Sequence, residues 1–147
     1  MGAPSRGGIV SQSLLDSALS DMSVLVVDDQ EIIRDMIEYA LKAMGVKKIT
    51  MSADGADALR LMESSTQPFD LIICDWMMPL VDGLEFLQTI RAHNVDTQFL
   101  MITAKSSREA VENAVKAGAN SYIIKPFTVR DLYKKMLFIS DKIRDRS

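Results

Sequence analysis

From Ser23 onward, short apolar runs alternate five times with longer amphipathic stretches, and this alternation limits the fold more than any other feature of the chain. The runs at 24–27, 48–51, 70–74, 98–102 and 121–124 have strand length. Two of them, VLVV and LIIC, are unbroken by polar residues, which suits strands covered on both faces. Between the runs, Ile33, Met36, Ile37, Ala40, Leu41 and Met44 recur at spacings of three and four, with Gly45 as a stop signal. Similar helical stripes run through Ala58, Leu59 and Met62, through Leu84, Leu87 and Ile90, and through Ala110, Val111, Ala114 and Val115 before Gly118. The last, Leu132, Met136, Ile139 and Ile143, opens at Thr128 with Asp131 three residues on, a relative of the capping box. Methionines spread over these stripes read as core filler. Five such short strand–helix units do not easily close a barrel, so right-handed crossovers predict a doubly wound, open, parallel α/β sheet.

In such sheets ligands bind beyond the carboxyl ends of the strands. Asp28 and Asp29 follow the first strand, Asp75 the third, Thr103 the fourth, and Lys125-Pro126 the fifth. Parallel strands present these ends on one edge, so three carboxylates, a hydroxyl and an ammonium should converge. Carboxylates about 4 Å apart repel by about 4 kcal/mol per pair at an effective dielectric of about 20, which favours a bound cation or a raised pKa. Hard oxygen donors without His or Cys point to Mg²⁺, with Mn²⁺ as the alternative. Mg²⁺ and Lys125 would neutralise charge on a transferring phosphoryl group, Thr103 would hydrogen-bond one of its oxygens, and an ionised carboxylate would be the nucleophile. Singly, each group is bland: an Asp-Asp pair after a strand is usually a turn or cap, and a lone Lys-Pro a solvated charge before a helix. Their conjunction in this order is the signal.

VLVVDD (24–29), DGADAL (54–59), LIICDWMMPLVDG (71–83), MITA (101–104) and YIIKPF (122–127) resemble the receiver domain of bacterial response regulators, of the single-domain, CheY-like type, over more than four fifths of the chain. The resemblance implies a flavodoxin-like (βα)5 sheet of order 2-1-3-4-5. It implies that Asp75 takes phosphate from the phosphohistidine of a sensor histidine kinase. Asp29 and Asp75 would bind Mg²⁺ directly, Asp28 through water, and Met77 through its backbone carbonyl. Thr103 would move toward the phosphoryl oxygens, Lys125 would pair with the charged site, and Tyr122 would rotate inward, altering the face of helix four, strand five and helix five. The Lys125-Pro126 bond would be cis. Such a chain is a signalling protein, not a dedicated enzyme, although it assists its own phosphorylation and dephosphorylation. Met77 stands where the family more often has a polar residue, and Lys105 lies two after Thr103; both line the path of attacking water, so they are expected to tune phosphate lifetime. Output partners compatible with the resemblance are a flagellar motor switch or another signalling protein, with the chain mostly monomeric and open to phosphorylation-dependent dimerisation.

Rival readings fit less well. An aspartate-nucleophile phosphohydrolase of the haloacid dehalogenase type needs a second Asp at the position of Met77, and a flavin carrier needs a Gly, Ser and Thr-rich phosphate loop where this chain has Asp28-Asp29-Gln30-Glu31. A net charge of −3 argues against nucleic acid. No stretch has the roughly 18 consecutive apolar residues of a transmembrane helix, and the single Cys74 fits the cytoplasm. At 147 residues the chain is expected to be one receiver domain over 22–147, without room for an output domain, preceded by an extension over 1–21 that is a tail or a short helix. Trp76 is expected to be a partly exposed packing residue, Cys74 to face away from Asp75 into the core, and His93 to lie on the surface. Tyr133, Leu137 and Phe138 widen the apolar face of the last helix beyond what the core needs.

Overall fold

A computed structural model describes residues 18–146. Ten elements alternate: β1 (Ser23–Val27), α1 (Glu31–Ala43), β2 (Lys48–Ser52), α2 (Gly55–Ser64), β3 (Leu71–Asp75), α3 (Gly83–Ala92), β4 (Gln98–Thr103), α4 (Arg108–Ala117), β5 (Ser121–Ile124) and α5 (Val129–Arg146). All pairings are parallel and the order is β2-β1-β3-β4-β5, the flavodoxin-like arrangement expected from the sequence. Asp75 and Thr103 are the terminal residues of β3 and β4, which run one residue past their expected ends, and β3 starts at Leu71, one residue later than expected.

The period-two alternation of each strand divides the core between the two faces. Val24, Val26, Leu71, Ile73, Leu100 and Ile102 pack against Ile37, Ala40 and Leu41 of α1 and Leu132, Met136 and Ile139 of α5. Leu25, Val27, Ile72, Cys74, Phe99 and Met101 pack against Ala58 of α2, Phe86, Leu87 and Ile90 of α3, and Ala110 and Ala114 of α4. Each fully buried aliphatic or aromatic side chain is worth about 1.5–3 kcal/mol, which is why the central strands carry no charged, hydroxyl or amide side chain between their first and last residues, with Cys74 as a small apolar one. Cys74 is buried in the second cluster, the core position expected for it.

Residues 1–17 of the expected extension lie outside the described residues. Residues 18–21 are helical, and Leu19 and Met22 are buried with the α1–α5 face. Thr128 and Asp131 exchange reciprocal hydrogen bonds of 2.9 and 3.1 Å at the start of α5, the cap read from the sequence. Among the described residues no helix is long and apolar enough to cross a membrane.

Candidate functional site

The carboxyl edge is fixed by hydrogen bonds that continue the ladders past the strands. Asp28 N donates to Ser52 O at 3.1 Å, Trp76 N to Ile102 O at 3.0 Å, and Lys125 N to Thr103 O at 2.8 Å. A further constraint comes from Gly83. Its N–H donates to Trp76 O at 2.8 Å, and a Cβ there would lie 2.3 Å from Asp75 O and 2.8 Å from Trp76 Cα. Only glycine lets α3 begin this close beneath β3, with Asp82 and Glu85 forming a full capping box at the same turn.

On this edge Asp28, Asp29 and Asp75 bring carboxylate oxygens within 4.8 Å of one another, Asp28 and Asp75 buried and Asp29 exposed. Lys125 Nζ stands 3.4 Å from Asp28 Oδ2 and 3.3 Å from Asp75 Oδ1. The bond to Asp28 is aligned; the contact with Asp75 is an ion pair without hydrogen-bond geometry, so the buried Oδ1 accepts no hydrogen bond. Asp28 is otherwise well held, its Oδ1 accepting from Gln30 N at 2.9 Å and its backbone oxygen from Arg34 Nη1 at 2.7 Å. Burial, and then the Asp28 charge, push the Asp75 carboxyl up to about 6, against the opposing pull of Lys125. Burial likewise raises Asp28, with Gln30 N and Lys125 pulling it back.

One ammonium does not balance three carboxylates, and a buried anion is stable only when paired and hydrogen-bonded. The hydrogen-bond-free Asp75 Oδ1, the exposed Asp29 beside it and the all-oxygen donor set fit a hard divalent cation.

The other expected site residues sit around this cluster. Thr103 is fully buried at the end of β4, its Oγ1 accepting from Lys105 N at 3.1 Å. Tyr122 O–H donates to Lys105 O at 2.8 Å, which fastens the tyrosine to the loop after β4 and not to the carboxylates. Met77 is 58% exposed at the rim, Lys105 is exposed, and the Lys125-Pro126 bond is cis as expected.

Trp76 corrects the sequence reading. It is buried, at 5% exposure, in the cluster on the α2–α3–α4 face, and Lys105 from the facing loop lies over its ring with Nζ 4.4 Å from the centroid. Such a cation–π contact at an exposed cation contributes about 0.5–1 kcal/mol. Arg34 and Gly83 were not singled out from the sequence. Gly83 closes the quoted LIICDWMMPLVDG run, whereas Arg34 touches the site through a backbone oxygen and leaves no side-chain pattern to read. His93 is the exposed C-cap of α3 and stands apart from the site, its Nδ1 2.9 Å from Thr89 O.

A parallel (βα)5 sheet with an acidic, lysine-paired pocket at its carboxyl edge is the architecture of a signalling receiver. A family model described as response regulator receiver domain matches residues 24–137, and the chain belongs to that family. It is 38% identical over 119 residues to the probable chemotaxis protein CheY of Rhizobium etli, covering 79% of this chain and 90% of that protein. To the chemotaxis protein CheY-3 of Vibrio cholerae serotype O1 it is 36% identical over 128 residues, with coverage of 86% and 94%. The solved receiver domain of Francisella response regulator 1452 matches with a TM-score of 0.77 at 31% identity, over 83% of this chain and 98% of that one. The chain is thus a CheY-like response regulator of the two-component signalling class.

Proposed function

We propose that Asp75 is the phosphoacceptor, charged by the phosphohistidine of a histidine kinase in a Mg²⁺-dependent reaction in the cytoplasm. The observation that carries this reading is Asp75 Oδ1: buried, without a hydrogen bond, 3.3 Å from Lys125 Nζ and clustered with Asp28 and Asp29. With its carboxyl at about 6, Asp75 is ionised over most of the neutral range, and its carboxylate attacks phosphorus. The P–N bond of the donor breaks, and its electron pair and a proton end on the imidazole nitrogen. Asp29, Asp75 and the Met77 backbone oxygen would hold Mg²⁺, with Asp28 acting through water; bound there, the cation supplies positive charge to the transferring oxygens. Lys125 neutralises the remaining charge, and Thr103, whose oxygen already accepts from Lys105 N, keeps its hydroxyl proton for a phosphoryl oxygen. Exposed Ile32, Met77 and Leu80, at 76, 58 and 88%, lie in the loops and first turn beyond β1 and β3 and suit apolar contact with a protein donor.

The charged chain then alters its α4–β5–α5 face, where Tyr122 sits, and so controls a downstream partner of the motor-switch or signalling kind. Met77 and Lys105 set how long the phosphate lasts. Intact-mass measurement after incubation with phosphoramidate tests the acceptor: the wild type gains one phosphoryl group only with Mg²⁺, and Asp75→Ala gains none. Equal labelling of the variant, or labelling in excess chelator, would overturn the reading. Continuous hydrolysis of phosphomonoesters would instead favour a phosphohydrolase.

A further inference from the structure

The loop after β4 is exposed from Ala104 to Ser107, yet three contacts meet on its second residue. Lys105 N donates to Thr103 Oγ1, Lys105 O accepts from Tyr122 O–H, and Lys105 Nζ rests over the Trp76 indole. Trp76 is a fixed post. Its N–H is bonded to Ile102 O and its carbonyl oxygen to Gly83 N, and its ring is buried against the α2–α3–α4 face. Lys105 therefore ties the neighbour of Asp75 to Thr103 on one side and to Tyr122 on the other.

We propose that Lys105 is a positioning residue, resting on Trp76 in the uncharged chain and drawn off it by the anion gained at Asp75, so that its backbone carries Thr103 and Tyr122 with it. The inference rests on Asp75 being the acceptor. Phosphorylation turns the singly charged Asp75 carboxylate into an acyl phosphate carrying about two negative charges, a gain of about one at the residue next to Trp76. Lys105 is a point charge on a flexible stem, held in place by a contact weak enough to be exchanged for an anion gained at the residue before Trp76. Lys125 is already committed to Asp28 and Asp75, whereas the exposed Lys105 has its ammonium over a neutral ring. Both of its backbone polar groups are bonded, one to Thr103 and one to Tyr122, so a shift of the Lys105 backbone that accompanies the side chain reaches both residues directly.

The test uses the full chain with Mg²⁺ and beryllofluoride, a phosphoryl mimic, and follows Trp76, the single tryptophan, by fluorescence and the Tyr122 ring by NMR. Wild type and Lys105→Arg, which keeps the cation, should change at both probes on titration. Lys105→Met, which keeps the stem and loses the charge, should bind the mimic yet show less than about half the wild-type amplitude at both probes. Lys105→Gln is a second neutral variant with the same expectation, and both are checked for folding by urea denaturation. Neutral variants that match the wild-type amplitude at saturation would overturn the role of Lys105 while leaving the acceptor intact. A wild type that responds no differently from Asp75→Asn would instead overturn the acceptor, and this proposal with it.

Discussion

The two edges of the sheet are built on opposite terms. At the amino edge, polar groups are satisfied. Asp70 Oδ2 accepts from Ser23 N at 2.8 Å, and Asn120 Oδ1 accepts from Phe99 N at 2.8 Å and Arg91 Nη2 at 3.0 Å. Arg91 also donates to Gly118 O and to Val95 O, pinning the end of α3 to the turn after α4. At the carboxyl edge, two carboxylates are buried around one lysine, Asp75 Oδ1 is left without a hydrogen bond, and its carboxyl is raised to about 6. One edge satisfies its polar groups, and the other holds unbalanced negative charge.

Breaking the amino edge should therefore cost stability without touching the chemistry. Arg91→Ala leaves several backbone and amide oxygens short of a donor and should lower urea stability by up to about 4 kcal/mol, with Asp75 labelling by phosphoramidate retained. A variant that is as stable as wild type would remove the contrast from that side.

The carboxyl edge should show itself in pH. The folded state holds the Asp75 proton to about 6, well above the ordinary value of 3.8, so between these limits the folded chain binds more protons than the unfolded one. Stability from this group is then fully present below the unfolded value and is lost as pH rises through 6, by about 3 kcal/mol in all. Raised Asp28 acts with the same sign. The measurement is the difference between wild type and Asp75→Asn across pH 4 to 7 in chelator: the variant should gain relative stability as pH rises. A flat difference would mean that burial does not penalise this carboxylate.

Adding Mg²⁺ should offset that cost. At about 100 times its dissociation constant a folded-state ligand adds about 2.7 kcal/mol, read as a rise in Tm that persists in Arg91→Ala and shrinks in Asp29→Asn. The smallest expected effect is on phosphate lifetime. Met77→Asn replaces an exposed apolar group at the rim with a water-binding one and should speed dephosphorylation a few-fold, about 1 kcal/mol of barrier. An unchanged rate would clear Met77 of that role.

The carboxyl edge was legible in the sequence because a parallel sheet turns strand ends into neighbours. Once the apolar runs were placed, Asp28, Asp29, Asp75, Thr103 and Lys125 fell on one edge without any knowledge of contacts. Their reach into the strands was less visible: Asp75 and Thr103 end β3 and β4, since a backbone ladder continues through a polar residue that hydropathy reads as a stop. The burial of Trp76 was not legible, because the groups that meet its ring come from the α2–α3–α4 face and from Lys105 of another loop, and no pattern around Trp76 encodes them. The Arg91 network was hidden for the same reason. Arg91 and Asn120 stand 29 residues apart, and three of the bonds that Arg91 makes there go to backbone oxygens, which any sequence supplies.

The central claim, that the unbalanced edge makes Asp75 the acceptor, is tested most directly by trapping the product. After reaction with phosphoramidate and Mg²⁺, borohydride reduces an aspartyl phosphate to homoserine, and peptide mapping locates it. The account predicts homoserine at position 75 alone. Homoserine at position 28 or 29, or a phosphate that resists reduction because it sits on a hydroxyl such as that of Thr103, would contradict it.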